Sequence, residues 1–155
     1  MKKIFAIAFT LLMLVACKST TSPDTGSGSW LDGNRDSEMG DQTNAVNVVY
    51  FAFDKSMLDT TAKDKIKQQA EMWKASSNKP TLLIEGYCDK MGDAEYNIAL
   101  GDRRAFATKK ELEKFGVPSD KLETISYGKE RPAVMGDTPH DLALNRRTVT
   151  IAVKN

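Results

Sequence analysis

Residues 86–105 read GYCDKMGDAEYNIALGDRRA and place a loop acid, Asp89, ahead of a predicted helix that carries Arg103 and Arg104. A carboxylate and a guanidinium that face each other across a short gap have three common uses. They form a structural salt bridge, take part in catalysis, or hold a ligand that carries opposite charges. The rest of the sequence has to decide among these uses.

Catalysis would require Cys88 as a nucleophile, with Asp89 or the single histidine, His140, as its base. A cysteine nucleophile needs a base within hydrogen-bonding reach, and His140 lies far along the chain in a proline-flanked loop without a supporting motif. We therefore expect a solvated histidine and no enzyme. One histidine and one free cysteine are too few for a spaced set of metal ligands, so we expect no metal and no cofactor.

The loop acid and the helical arginine must be positioned by a strand before the loop and a packed helix after it. The largely apolar run TLLIEGY, 81–87, predicts a strand from the middle of a sheet. A helix is predicted from an N-cap at Asp93 to 115, with Gly116 in the left-handed closing position. Gly101 costs helix propensity and indicates close packing against a neighbour. The predicted buried stripe of this helix comprises Ile98, Ala105, Leu112 and Phe115.

The remaining elements complete one globular domain over 45–155. Ala62, Ile66, Ala70 and Trp73 recur at helical spacing, which predicts an amphipathic helix over 59–76. A short helical stretch is predicted around Leu142. Three more strands are predicted at 47–53, 121–128 and 147–153. This order indicates an α+β or α/β sandwich in which the helices pack on one sheet.

The amino terminus predicts export and lipidation. Two lysines precede an apolar run, 4–16, that is too short to span a bilayer and is typical of a signal peptide. The run ends in Leu14-Val15-Ala16-Cys17, which matches the bacterial lipobox, so we expect residues 1–16 to be removed and Cys17 to be lipidated. Because Lys18 stands where inner-membrane lipoproteins usually carry Asp, the resemblance favours the outer membrane, with the domain on its periplasmic face.

Residues 17–44 comprise the predicted lipid-bearing Cys17 and a flexible tether, because Ser, Thr, Gly and Asp dominate this segment without an apolar period. The formal charge of the whole chain is +1, and removal of Lys2 and Lys3 with the signal peptide makes it slightly negative. No basic patch or high pI suggests a nucleic-acid partner, so we expect none.

Four stretches in order, VYFAFDKS, IEGYCDKMGDAEYNIALGDRRA, ISYGKERPAV and NRRTV, resemble the OmpA C-terminal-like family from about residue 48 to 153. Within that family, the lipobox and tether resemble the lipoproteins of the Tol system. The resemblance implies an α+β two-layer sandwich, a four-stranded mixed sheet with helices on one face, and a groove for the meso-diaminopimelate of peptidoglycan. It also implies TolB, and possibly TolA, as partners. A wall-binding lipoprotein outside the Tol system remains an alternative.

The resemblance also assigns roles to residues in the groove. Diaminopimelate in an uncrosslinked stem ends in an ammonium and a carboxylate on one carbon. Asp89 is therefore expected to accept a hydrogen bond from the ammonium, and Arg104 to bind the carboxylate through two parallel hydrogen bonds. The alternative is a mutual Asp89–Arg104 salt bridge that only orders the loop. The resemblance implies that Asp89, Arg104, Phe53 and Asp54 line the groove. Leu100, one helical turn before Arg104, is expected to pack against the aliphatic chain of the ligand. Arg147 is a sixth candidate, with the NRR triplet, 145–147, expected to be chiefly a fold contact.

Overall fold

A computed structural model describes residues 46–153, so the predictions for 1–16 and 17–44 lie outside the described residues. Among these residues, no helix is long and apolar enough to cross a membrane. A 3-10 turn at Ser119–Lys121 precedes the third strand. The strands are β1, Val48–Tyr50; β2, Thr81–Tyr87; β3, Leu122–Gly128; and β4, Arg147–Val153. The helices are α1, Thr60–Ala75; α2, Ala94–Lys114; and α3, Pro139–Asn145.

The four strands form one mixed sheet in the order β1-β4-β2-β3. β4 pairs antiparallel with both β1 and β2, whereas β2 and β3 are parallel and joined through α2. The prediction of a four-stranded mixed sheet in an α+β fold is therefore confirmed. The carboxyl ends of β1 and β2 and the amino end of β4 meet at one end of this sheet.

α1 and α2 pack on one face of the sheet and enclose the hydrophobic core, as predicted. Small or apolar side chains of the strands face these helices; for example, Thr148 of β4 meets Thr108 of α2 at 3.1 Å between hydroxyl oxygens. The expectation for Ile98 is wrong, because this residue is 39% exposed and packs at the edge of the sheet beside Gly128. The buried cluster includes the four predicted α1 residues, Ala62, Ile66, Ala70 and Trp73, and also Val49, Leu82, Ile84, Ala105 and Leu112.

The two long helices begin at aspartates, of which only Asp93 was predicted as a cap. Asp59 caps α1, since its Oδ1 accepts a hydrogen bond of 2.7 Å from the Ala62 amide. Asp93 occupies the N-cap of α2 as predicted, but its side chain makes no capping hydrogen bond. Beyond the end of α2, Gly116 adopts φ +90°, the left-handed conformation that glycine tolerates best.

α3 is the predicted short helix around Leu142, and it lies in the connection between β3 and β4. It begins with a capping box in which Thr138 accepts from the Asp141 amide and the Asp141 carboxylate accepts from Thr138. His140 therefore lies in the first turn of a helix and not in a loop, but it is exposed as expected.

β1 is shorter than the predicted 47–53. The Phe51 amide still donates to the Arg146 carbonyl at 2.8 Å, but the chain then leaves the sheet in a turn closed by the Lys55 amide and the Ala52 carbonyl at 3.2 Å. Asp54, in this turn, has φ +54°, which is incompatible with a strand.

Two glycines let α2 approach β2 more closely than any other residue would allow. A Cβ atom on Gly86 would lie 2.1 Å from the Gly101 carbonyl oxygen, and one on Gly101 would lie 2.2 Å from Ser126 Oγ. The prediction of close packing at Gly101 is therefore confirmed. Because Gly101 lies one helical turn before Arg104, this contact sets the depth at which Arg104 enters the domain.

Candidate ligand-binding cavity

A cavity of about 310 Å³ opens at the end of the sheet where β1 and β2 finish and β4 begins. The first turns of α2 form its opposite wall. Among the residues that the structure describes, its lining consists of Phe53, Asp54, Cys88, Asp89, Met91, Gly92, Tyr96, Asn97, Leu100, Arg104 and Arg146. The cavity therefore includes five of the six residues assigned to the groove.

Arg104 is fully buried at the base of the cavity, and main-chain carbonyls take most of its donors. Its Nε donates to the Lys55 carbonyl at 2.8 Å, its Nη2 to that of Ala52 at 3.3 Å, and its Nη1 to that of Tyr87 at 2.8 Å and to Cys88 Sγ at 3.4 Å. Arginine has five N–H donors, so only one N–H, on Nη2, has no partner among the described residues. A fork from Arg104 to a ligand would require one of these bonds to break.

The environment of Arg104 keeps a buried cation in place without a direct ion pair. Its guanidinium carbon lies 5.2 Å from the centre of the Phe51 ring, within the range of a cation–π contact. Burial lowers the pKa of Arg104, while nearby Cys88 and Asp89 oppose this shift. Because arginine loses its proton only far above neutral pH, the guanidinium stays charged. It links the turn after β1 to the end of β2.

Asp89 pairs with Arg146 and not with Arg104, so the predicted alternative of a mutual Asp89–Arg104 salt bridge is wrong. Oδ2 of Asp89 accepts from Arg146 Nη1 at 3.1 Å, and Oδ1 accepts from the Met91 amide at 3.1 Å. Asp89 is buried, and each oxygen keeps a further lone pair for another donor. The carboxylate is thus fixed in place while still able to accept.

Arg146 is the basic residue of the cavity with donors to spare. Its Nε donates to the Phe51 carbonyl at 3.2 Å and one Nη1 hydrogen is used by Asp89. The two hydrogens of Nη2 and the second of Nη1 have no partner among the described residues. The Arg146 side chain is 15% exposed, so these donors can meet a ligand carboxylate with the fork geometry of arginine.

Arg147 lies outside the cavity, unlike the other five residues assigned to the groove. Its guanidinium carbon stacks 3.9 Å from the centre of the Tyr87 ring, on the sheet face opposite the helices. Successive side chains of a strand point to opposite faces, and the next residue, Thr148, faces α2. The prediction that Arg147 lies in the groove is therefore wrong.

The loop between β2 and α2 is held by Asn97, which is almost fully buried. Its side-chain amide donates to the Met91 carbonyl at 2.8 Å and to the Asp93 carbonyl at 3.0 Å. The thiol of Cys88 donates to the Asn97 carbonyl at 3.3 Å. Burial raises the pKa of the Cys88 thiol, against the opposing effect of Arg104. Cys88 is therefore protonated and neutral at pH 7, and it lines the cavity without a charge.

The rim of the cavity is more apolar than its base. Leu100 is buried one turn before Arg104, as the predicted groove position requires, whereas Phe53 is 61% exposed at the mouth. Met91 and Tyr96 are also exposed. The Tyr96 hydroxyl donates across the mouth to Oδ1 of Asp54.

Two acids and two arginines line the cavity, so their formal charges sum to zero. Asp54 and Asp89 contribute the carboxylates, and Arg104 and Arg146 the guanidiniums. Such a lining does not attract a strongly charged ligand of either sign, but it offers separate partners for both charges of a zwitterion. Among the lining residues there is no histidine, and no group of three or more metal-binding side chains occurs within 46–153.

The fold and the cavity together define a small α+β ligand-binding domain built on a mixed four-stranded sheet. The OmpA family model matches residues 50–146, which include β2, β3, all three helices and the whole lining of the cavity. The chain belongs to the OmpA family.

The chain is also similar to named relatives over nearly its whole length. The peptidoglycan-associated lipoprotein of Brucella melitensis is 36% identical over 151 residues, which cover 94% of this chain and 89% of the relative. The peptidoglycan-associated lipoprotein of Pseudomonas putida is 33% identical over 156 residues, covering 94% of this chain and 93% of the relative.

Solved structures share the fold. The crystal structure of the peptidoglycan-associated lipoprotein from Burkholderia pseudomallei matches with a TM-score of 0.64 at 33% identity, covering 71% of this chain and 95% of that one. The C-terminal domain of MotB from Helicobacter pylori matches with a TM-score of 0.65, covering 70% of this chain and 84% of that one. Its identity is 18%, so it shows the fold alone.

The cavity residues that were not predicted from the sequence as parts of a site include Arg146, Asn97 and Tyr96. The NRR triplet, 145–147, draws attention to Arg146, but it does not distinguish it from its neighbour. Asn97 stands one turn into α2, and an asparagine side chain at such a position commonly hydrogen-bonds to the preceding loop and so orders the start of the helix. For Tyr96 the sequence contains no such signal.

Proposed function

We propose that this chain is an outer-membrane lipoprotein that binds peptidoglycan non-covalently, through the diaminopimelate of the peptide stem. The observation that carries the proposal is the buried Asp89 carboxylate, held 3.1 Å from the donor-rich Arg146 inside one charge-balanced cavity. The names of the relatives, peptidoglycan-associated lipoproteins, support the same ligand.

The free end of diaminopimelate carries an ammonium and a carboxylate on one carbon. Asp89 accepts from the ammonium with the lone pairs that Met91 and Arg146 do not use. The carboxylate binds the free donors of Arg146 and the remaining N–H of Arg104. This arrangement assigns to Arg146 most of the donor role expected for Arg104, whose main part is to fix the walls of the cavity.

The aliphatic chain between the two ends of diaminopimelate needs an apolar path out of the cavity. Leu100 provides a buried apolar wall, and Phe53 an exposed one at the mouth. Contact with these side chains removes apolar surface from water, which adds affinity without directional constraint. The charged end then supplies the specificity, and the apolar wall supplies part of the binding free energy.

Binding without turnover is the activity that this lining supports. The thiol of Cys88 has a raised pKa and donates to a main-chain carbonyl, whereas a thiol nucleophile needs a lowered pKa or an adjacent base. Asp89 is engaged by Arg146 and by a loop amide. These contacts favour a binding role over peptidoglycan hydrolysis.

We further propose that lipid on Cys17 anchors the chain in the outer membrane, so that the chain ties this membrane to the cell wall. Tri-acylation would make such anchoring effectively permanent, since each buried CH₂ adds about 0.8 kcal/mol. The role in envelope integrity and cell division within the Tol-Pal system, with TolB and possibly TolA as partners, rests on the family resemblance. A wall-binding role outside that system is the alternative, and titration with purified TolB separates the two.

Calorimetric titration with a diaminopimelate-containing stem peptide tests the wall-binding proposal. The chain is used without its signal peptide and with Cys17→Ser. Asp89→Asn and Arg146→Gln should each weaken binding by about 2–5 kcal/mol, because each leaves a charged group without its partner. Arg131→Ala is the matched control, since Arg131 stacks on Tyr127 outside the cavity.

Two outcomes would contradict the proposal. If the folded chain fails to bind the stem peptide, the ligand is wrong. If the chain binds but Asp89→Asn and Arg146→Gln bind equally well, the cavity is not the site. Release of soluble fragments from purified sacculi by the wild-type chain would instead reveal an enzyme.

A further inference from the structure

One wall of the cavity is the turn from Ala52 to Lys55, whose tip carries Phe53 and Asp54. The Lys55 amide closes this turn on the Ala52 carbonyl at 3.2 Å. Asp54 has φ +54°, a left-handed conformation that aspartate tolerates better than most residues but that still stores strain. Both tip residues line the cavity. A strained tip keeps its position only where other contacts hold it.

Arg104 fixes the two ends of this turn from below. Its Nε binds the Lys55 carbonyl and its Nη2 binds the Ala52 carbonyl. These bonds do not reach Asp54, so they set the base of the wall and leave its tip to another group.

Tyr96 reaches the tip from the opposite wall. It lies in the first turn of α2, and its hydroxyl donates to Oδ1 of Asp54, 42 residues earlier in the chain. The hydrogen bond to Asp54 raises the pKa of Tyr96, so the phenol remains a donor at neutral pH. The guanidinium carbon of Arg103 lies 5.8 Å from the centre of the Tyr96 ring. The Tyr96–Asp54 bond therefore spans the mouth of the cavity.

We propose that Tyr96 is a positioning residue of the ligand site: by holding Asp54 it fixes the tip of the turn, and so the width of the mouth, over the bound ligand. This inference rests on the proposed function. The Tyr96 phenol does not contact the charged end of diaminopimelate, which lies deeper in the cavity, beside Asp89. Loss of the bond frees the tip, so bound ligand leaves faster, while the deep partners remain intact.

The kinetic test uses the chain with Cys17→Ser and a stem peptide, and compares dissociation rates. Tyr96→Phe keeps the ring and removes the hydroxyl, so dissociation should accelerate about three- to tenfold, the worth of one hydrogen bond. Tyr127→Phe is the matched control outside the cavity. In an Asp54→Gly background, where glycine still accepts the left-handed conformation, Tyr96→Phe should change the rate by less than about twofold.

A second readout needs no ligand. Amide relaxation by NMR should show increased motion of residues 53–55 in Tyr96→Phe and unchanged motion in Tyr127→Phe. An unchanged relaxation profile in Tyr96→Phe overturns the inference, as does an unchanged dissociation rate or the same acceleration in the Asp54→Gly background. If the wild-type chain does not bind the stem peptide at all, the proposed function fails, and the relaxation data separately report whether the phenol holds the tip.

Discussion

The contact between α2 and β2 at Gly86 and Gly101 leads to a prediction about both stability and binding. A Cβ atom on Gly86 would meet only main-chain atoms, at 2.1 Å from the Gly101 carbonyl oxygen and 2.7 Å from its carbonyl carbon. A Cβ atom on Gly101 would meet mainly a side chain, Ser126 Oγ at 2.2 Å. The two alanine substitutions therefore place the same methyl group against obstacles of different stiffness.

The expected magnitudes differ accordingly. Gly86→Ala forces the helix away from the strand, and overpacking of this kind costs about 1–3 kcal/mol or more. Gly101→Ala meets a comparable clash, but it gains about 1 kcal/mol of helix propensity. Ser126→Ala removes the obstructing oxygen. It also removes the 2.7 Å bond that this oxygen donates to the Ile98 carbonyl and the 3.2 Å bond that it accepts from the Gly128 amide, at about 1 kcal/mol each. Gly101→Ala should thus cost less in a Ser126→Ala background than in wild type, a rescue that Gly86→Ala should not show.

Urea unfolding of the single and double variants, followed by circular dichroism, measures these free energies. Stem-peptide titration of the folded variants measures the effect on the site, because a displaced α2 draws Arg104 away from the Tyr87 carbonyl. If Gly86→Ala unfolds within about 0.5 kcal/mol of wild type, the close approach is not a constraint. Equal rescue of both glycine variants by Ser126→Ala would show that the obstacle at Gly86 is not the main chain.

Two further predictions use matched contacts. Asp59→Ala should lower the free energy of unfolding, measured in urea, by about 1 kcal/mol, because Asp59 caps the Ala62 amide. Asp93→Ala removes an N-cap side chain that makes no capping bond, so it should change this free energy by less than about 0.5 kcal/mol. Equal losses in the two variants would contradict this account. Cys88 should react with iodoacetamide at pH 7 only slowly in the folded chain and rapidly in urea, because burial raises its pKa and so lowers the thiolate fraction. Equal alkylation rates in the two states, measured by mass spectrometry, would refute it.

Element boundaries could be predicted where the sequence supplies an explicit signal. β2 and β4 begin and end at the predicted 81–87 and 147–153 because each is a run of strand-forming residues between turn-forming ones. α2 ends beside Gly116 as predicted. The pattern overextends β1 to 53, because Phe51, Ala52 and Phe53 read as a strand although the left-handed Asp54 turns the chain away. Asp54, Lys55 and Ser56 are turn-forming types and predict a turn there, but no local pattern places its start at Ala52.

The partners of the site residues could not be predicted, because they are main-chain atoms distant in sequence. Arg104 binds the carbonyls of Lys55 and Ala52, which lie 49 and 52 residues earlier. Every residue has a carbonyl, so residue types do not indicate which ones a buried guanidinium will meet. The sequence could identify Arg104 as a central residue of the cavity, but not that its donors would be largely used there.

Neighbouring arginines illustrate a second limit. Arg146 faces the cavity and Arg147 stacks on Tyr87 on the other sheet face. A shift of one residue exchanges the faces of a strand, so a prediction that is correct to within one position can select the wrong arginine. The resemblance selects the triplet, and only the position of Thr148 against α2 determines which arginine lies where.

The predicted tether and the cavity lie beyond opposite ends of β1 along the chain, which sets how a pull between them would load the domain. The predicted tether joins the chain before Val48, whereas Phe53 and Asp54 follow the other end of the strand. If lipid on Cys17 and peptidoglycan in the cavity hold the chain as proposed, a pull between them runs along β1. Antiparallel hydrogen bonds lie perpendicular to the strands, so this pull shears the bonds between β1 and β4 together. Peeling would break them one at a time. Osmotic swelling of the envelope would therefore pull this domain along an axis in which its edge strand resists most.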